Sequence, residues 1–437
     1  MNGAQETAVV TCDHCALTST LPATYKRVGR FNLALCPRCW NRREVTEARR
    51  RAWLLIGALV AVPFTLAWGW LFPNLLIMAG VLLPSIIVHE LAHAAAATAL
   101  GFDVFRIKLG VGPVRFERRL FGYLWEVRRY LGGGLMQGAP VRMHDLKRRW
   151  LLVVAAGPAA NFLVGAAAFA VLATSYSENL GSGPAPLTTL VFINWSLAFL
   201  NLLPLTTARG DQSDGKMLLL ALRGDAQWVL ALETALRTAR FLELRREERT
   251  DAALQAATDA ANAHPDSAPL NCNLGIAYLD VRRYAEARTT FERALALAKE
   301  PAQQAVVRNN LAYLFMESGS LDDLPLGAEH AAAAYAAFPW HSAVGVTHAL
   351  YELWADRAAS AVATLDVVLG DELRPSERKE ILYILAMAKL RVGERAAALA
   401  LAGEADAMRG DTPWQAAFAR LLATDGREFF EAAAARA

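Results

Sequence analysis

At 437 residues, with 54% hydrophobic residues and a positive mean hydropathy, the chain has room for two or three domains and is too apolar for an ordinary water-soluble protein. A formal net charge of +3 gives no reason to expect a nucleic-acid partner. Four of the five cysteines crowd the N-terminus and Cys272 stands alone in a helical stretch, which excludes a secreted disulfide framework and marks Cys272 as a small buried residue.

The first element, over residues 1–45, holds Cys12-Asp13-His14-Cys15 and Cys36-Pro37-Arg38-Cys39 with twenty residues between the pairs. That is the spacing of a structural four-thiolate zinc site, and it predicts a zinc ribbon in which Cys12, Cys15, Cys36 and Cys39 fill the tetrahedron without His14. Redox or disulfide roles suit the cytoplasmic side poorly. No signal peptide is read, because the apolar pattern begins only near residue 52.

Residues Ala52–Phe72, Leu75–Leu100, Leu151–Tyr176 and Leu187–Leu205 are predicted to cross a bilayer as four helices, with Glu90 the only formal charge inside them. Arginines at 42, 43 and 49–51 and the basic segment 101–149 belong in the cytoplasm, whereas Pro73-Asn74 and 177–186 carry no Lys or Arg. The expectation is an integral, multi-pass membrane protein with both termini cytoplasmic. Between spans two and three, Val104–Leu109 and Leu124–Leu131 are β-prone and bounded by glycines, which predicts a small sheet near the inner surface.

The second span carries His89-Glu90-Leu91-Ala92-His93. Positions four apart share a helix face, so both imidazoles can reach one metal while Glu90 addresses a water beside it. Glu and two His inside an apolar helix cost a few kcal/mol in a bilayer, a cost tolerated chiefly at functional sites. A catalytic zinc needs a third protein ligand, and the candidates are the carboxylates Asp211 and Asp214 after span four. From about Ala226 the chain is Ala-, Leu-, Glu- and Arg-rich with helical periodicity. Leu274, Gly275, Tyr278, Tyr284, Ala287, Phe291 and Ala294 stand at tetratricopeptide-like offsets, which restart at Leu311, Ala312, Phe315 and Gly319. The restart is longer than the usual period, and an insertion at Asp322–Pro325 would account for it.

These motifs resemble the site-2 protease family of intramembrane zinc metalloproteases. His89 to His93 matches its H-E-x-x-H, Gly157-Pro158-Ala159-Ala160-Asn161 its A-G-P-x-x-N helix, and Asn201-x-x-Pro204 with Asp214-Gly215 its N-x-x-P and D-G motifs. Leu109 to Pro113 and Gly132-Gly133 resemble the segments flanking its membrane-associated strands. The resemblance covers residues 52–223. It implies that His89, His93 and Asp214 hold a catalytic zinc, that Glu90 accepts a proton during peptide hydrolysis, and that Asn201 holds the substrate backbone. Asp214 is favoured over Asp211 because it alone precedes glycine and an apolar helix, although the family's usual aspartate lies closer to N-x-x-P. No PDZ-like insertion is evident.

The expected fold is mainly α: a zinc ribbon (1–45), a polytopic helical membrane core with a small β element (52–223), and a helical repeat solenoid (226–437). Two zinc ions are expected, one catalytic and one structural. The expected partners are the lipid bilayer, a membrane-protein substrate whose unwound segment could pair with a strand edge at 104–131, and a protein on the repeats. Two rivals differ in class or in detail: a catalytically silent membrane adaptor, and a prenyl-protein-processing protease whose third ligand is a glutamate on a later helix.

Overall fold

The computed structural model describes residues 9–423 apart from 13–14, 16, 22–24, 29–32, 38, 41–70, 176–184, 207–211, 370–372 and 374. The first expected span, but for the start of α1, lies outside the described residues, as do His14 and Asp211. The chain divides into two compact units, one of residues 48–249 and one that joins 1–47 to 250–437.

In the first unit, α1 (Leu71–Ala99) leads into a hairpin of β5 (Phe102–Leu120) and β6 (Tyr123–Pro140), followed by α2 (Leu146–Ser175), α3 (Ala185–Leu202), α4 (Asp214–Arg223) and α5 (Ala226–Arg246). Ile77–Ala99 and Leu146–Ser175 are long and apolar enough to cross a membrane; Pro186–Leu202 is a shorter apolar helix. Polarity in these helices runs inside out. Asn161 and Asn194 are fully buried, while Leu163 is 65% and Phe192 66% exposed.

Gly101, at φ +75°, ends α1 in the left-handed conformation that terminates many helices. The Arg149 guanidinium then ties the start of α2 to that end, donating from Nε to the Leu100 carbonyl at 2.8 Å and from Nη1 to that of Arg142 at 2.6 Å.

The strands are longer than the glycine boundaries suggested. Phe121 and Gly122 both take positive φ, the signature of a tight two-residue turn, and the glycines near 110 and 132–134 coincide with register irregularities within the ladder. Residues 106–109 are flanked on both sides, by 134–137 and by 124–127. They therefore present no open edge, and the expected edge within 104–131 narrows to 114–120, which pair on one side only, with 123–128. The segment from Gly133 onward is the outer strand beside 102–109.

Helix α5 packs on this hairpin, with Arg106 Nη2 2.6 Å from Glu243 Oε2 and Arg240 Nη1 2.6 Å from Asp103 Oδ2. Its Leu236 is buried in the cluster of Ala97, Phe102 and Val153. By packing, the helix expected to open the solenoid thus sits with the first unit.

The second unit begins with two short hairpins, β1 (Val10–Thr11) with β2 (Thr18–Ser19) and β3 (Lys26–Val28) with β4 (Leu33–Leu35). After α6 (Thr250–Ala263) come four antiparallel helix pairs: α7 (Ala268–Asp280) with α8 (Tyr284–Leu297), α9 (Pro301–Glu317) with α10 (Leu324–Ala337), α11 (Ser342–Trp354) with α12 (Ala358–Val368), and α13 (Pro375–Arg391) with α14 (Arg395–Asp406); α15 (Pro413–Ala423) follows. Alternating small and large residues let the pairs close: Ala287, Phe291 and Ala294 are fully buried and Phe291 fills the space over Gly275. Cys272 is buried beside them.

The turn inside each pair carries one left-handed residue, at positions 282, 319, 356 and 393, each 37 residues after the last. The extra length is therefore uniform across the repeats. It is not a single insertion at 322–325, where a short 3-10 turn, Leu321–Asp323, leads into α10.

Candidate active site

Helical spacing puts His89 and His93 on one face of α1, and packing turns that face toward α2. His89 Nε2 and His93 Nε2 lie 3.1 Å apart. Asp214 Oδ2 is 3.0 Å from His89 Nε2, and Oδ1 is 3.5 Å from His93 Nε2. All three residues are buried.

The opposite ring nitrogens are fixed. His89 Nδ1 is 2.6 Å from Asn161 Oδ1 and His93 Nδ1 is 2.7 Å from the Val153 carbonyl. Both partners are acceptors, so each Nδ1 carries its proton and each neutral imidazole turns the Nε2 lone pair toward the other and toward a carboxylate. Three acceptors converging in a buried site need a cation among them. Their separations match ligand atoms on one tetrahedral zinc, where bonds of ~2.0–2.1 Å place neighbours ~3.3 Å apart.

The bracket that delivers Asp214 is built from Ser213, which caps α4 by accepting from Lys216 N at 3.2 Å and also accepts from Leu205 N at 3.0 Å. Gly215 permits the approach, since a Cβ there would fall 1.9 Å from the Leu202 carbonyl oxygen. Gly157 plays the corresponding part on α2, where a Cβ would fall 2.3 Å from His93 Nε2 and 2.6 Å from His89 Nε2. The glycines of two sequence motifs are thus there to let backbones close on the donor set.

Glu90 lies beside the histidines, 4% exposed, and its Oε2 has no hydrogen-bond partner among the described residues. Gly134 on β6 lets the strand pass directly over it, because a Cβ there would sit 2.3 Å from Glu90 Oε1. Around these groups is a cavity of about 360 Å³ lined by His89, Glu90, His93, Gly134, Asn201 and Asp214, among others.

A buried polar chain continues away from the cavity. Asn161 Nδ2 donates to Asn194 Oδ1 at 2.7 Å and to the Ser85 carbonyl at 3.2 Å, and Asn194 Nδ2 donates to Ser85 Oγ at 2.9 Å. In the sequence Asn161 stands only as the last position of the Gly157–Asn161 motif, and Asn194 belongs to none of the motifs. A second asparagine seven positions before Asn201 on an apolar helix was the available signal.

In the other unit, the thiols of Cys12, Cys15, Cys36 and Cys39 all lie within 4.8 Å of one another, and Cys15 Sγ is 3.7 Å from Cys36 Sγ. Four thiolates on one zinc would stand ~3.8 Å apart. Burial, with the charge of neighbouring thiolates adding to it, pushes the Cys36 thiol up to about 11 against hydrogen bonds with Cys39. Such a cluster holds its protons until a cation displaces them.

The first unit thus contains a buried two-histidine, one-aspartate donor set with an adjoining carboxylate, an arrangement that defines a metallohydrolase-type site. Residues 77–223 match the profile of Peptidase family M50, which shows for this segment the metalloprotease resemblance carried by its motifs. A candidate zinc metalloprotease of Chlamydia pneumoniae is 29% identical over 108 residues, which cover 20% of this chain and 17% of that protein's length. Among solved structures, a tetratricopeptide-repeat protein of Thermus thermophilus is similar at 18% identity and a TM-score of 0.34, covering 44% of this chain and 99% of that one. MamA is similar at 19% identity and a TM-score of 0.31, covering 39% and 95%.

Proposed function

We propose that the chain is an intramembrane zinc endopeptidase of the site-2 type, cutting membrane-protein substrates in regulated intramembrane proteolysis. The observation that carries this reading is the convergence of His89, His93 and Asp214 beside Glu90, whose Oε2 has no hydrogen-bond partner among the described residues, inside helices that turn apolar side chains outward and asparagines inward. His89, His93 and Asp214 hold the catalytic zinc, and the four cysteines hold a structural one. When bound, the catalytic zinc supplies Lewis-acid activation of water and of the scissile carbonyl.

The chain's own residues do the rest. Glu90 takes the proton of the attacking water and returns it to the leaving amine. Asn161 and the Val153 carbonyl keep both imidazoles in the tautomer that presents Nε2. Asn201 on the cavity wall holds the substrate backbone. A helical substrate hides its carbonyls in its own hydrogen bonds, so it must unwind, and the outer strand beginning at Gly133 offers main-chain groups to the opened segment beside Glu90. The helices are read as a polytopic bundle with both termini cytoplasmic on the positive-inside rule, and the repeats as the docking surface for a protein partner.

The test is a comparison of membrane proteomes from cells carrying the active chain or Glu90→Gln. The expected result is accumulation of at least one intact single-span protein in the mutant cells. Indistinguishable proteomes would count against an intramembrane protease.

A further inference from the structure

The ribbon does not stand apart from the repeats. The last carbonyls of an α-helix have no partner within the helix, and at the end of α10 two of them are taken by the ribbon. Thr20 N donates to the Ala336 carbonyl at 3.0 Å and Ser19 Oγ to that of Ala337 at 2.8 Å, across 318 residues of sequence in the second case. Ser19 is 1% exposed, and its Oγ also accepts from Leu21 N at 3.0 Å.

An aromatic contact reinforces the cap. Trp340, in the turn between α10 and α11, meets the Tyr25 ring edge-on at 5.7 Å and packs on the cluster of Cys12, Tyr25, Ala34, Leu35 and Cys36. Both contacts come from segments that the thiol cluster organises. Cys12 N donates to the Leu17 carbonyl at 2.8 Å, closing the loop that leads into Thr18–Ser19, and Tyr25 Oη donates to the same carbonyl at 2.8 Å. So small a β element has little core of its own, and its folding free energy comes chiefly from its metal.

We propose that the four-cysteine ribbon is a metal-dependent clasp on the repeat array: zinc loading seals the C-terminal end of α10 and the Trp340 turn, and metal loss releases both. The proposal rests on the reading of Cys12, Cys15, Cys36 and Cys39 as a zinc site and is independent of the protease reading. It gives the ribbon a specific partner, the second helix pair of its own chain, and makes local order in the repeats follow zinc occupancy.

Hydrogen exchange on the full chain in detergent tests it, comparing zinc-loaded protein, chelator-treated protein, Cys36→Ser, Ser19→Ala and Trp340→Ala, with zinc content measured in each. Removing zinc or Cys36 is expected to speed exchange of amides 338–345 about tenfold or more, the size of two lost capping bonds, while the buried amides of 381–388 are unchanged. Ser19→Ala and Trp340→Ala should loosen the same turn with zinc content unaltered, which separates the clasp from unfolding of the ribbon. Unchanged exchange at 338–345 in the metal-free protein overturns the clasp, as does equal acceleration at 381–388, which would be global unfolding. A wild-type ribbon without zinc overturns both the clasp and the metal reading beneath it.

Discussion

The geometry around His89 and His93 depends on an atom that is missing by design of the sequence: the Cβ of residue 157. Alanine is a better helix former than glycine by about 1 kcal/mol, so Gly157→Ala should leave α2 intact. Its methyl would nonetheless project to within 2.3 Å of His93 Nε2. The variant is expected to fold, to retain the ribbon zinc and to lose the core zinc, measurable as a fall from two metal ions per chain to one. Retention of both ions would show that the lone pairs do not converge as described. The convergence of His89, His93 and Asp214, the proposed ligands, was legible in the sequence because H-E-x-x-H sets two of them by helical spacing and D-G flags the third. The roles of Gly157, Gly134 and Asn194 were not, because each depends on which face of a neighbouring helix or strand arrives opposite it, and spacing along one element does not encode that.

At the scale of elements, α5 shows where composition misleads. Its Arg- and Glu-rich surface reads like that of the repeat helices, yet those charges pair with Asp103, Arg106 and Glu117 of the hairpin, and Glu247 just past its end pairs with Arg119. Glu243→Ala would leave buried Arg106 with only Glu126, at 3.3 Å, and should cost about 2 kcal/mol of local stability. The expected readout is faster tryptic cleavage at Arg245 and Arg246 with the core metal retained. An unchanged cleavage rate would mean that α5 is held by its apolar face alone. The ribbon gives a prediction with a definite sign. Its Cys36 thiol is raised from 9.0 to about 11 in the metal-free fold, so this group stabilises the metal-free ribbon below its ordinary value and ceases to as pH rises through about 11. Zinc must expel these protons, so its apparent affinity for the ribbon should tighten about tenfold or more per pH unit between 6 and 8. Competition against a chelator measures this, and a flat profile would exclude thiolate ligation.

For the whole molecule, the composition of the sequence divides the chain into three segments, whereas packing forms two compact units. Packing regroups them: the N-terminal ribbon belongs with the C-terminal repeats, and α5 with the core. Neither pairing leaves a mark in hydropathy, since a helix end capped from 318 residues away looks like any other. The regular 37-residue spacing of left-handed turns was present in the sequence, but two of the four positions are Arg282 and Asp356, which do not mark a left-handed turn as Gly319 and Gly393 do, so the period could be read only once the backbone was known. The proposed core chemistry is separable from this architecture, because it requires only that Glu90 act on a proton and not on the metal. The most direct measurement compares purified wild type with Glu90→Gln, recording zinc per chain and cleavage of a single-span reporter protein in the same detergent. The account predicts two zinc ions per chain in both proteins and a loss of cleavage of about 10²-fold or more in the variant, the contribution expected of a general base. Wild-type cleavage by Glu90→Gln, or loss of a zinc ion with the carboxylate, would contradict it.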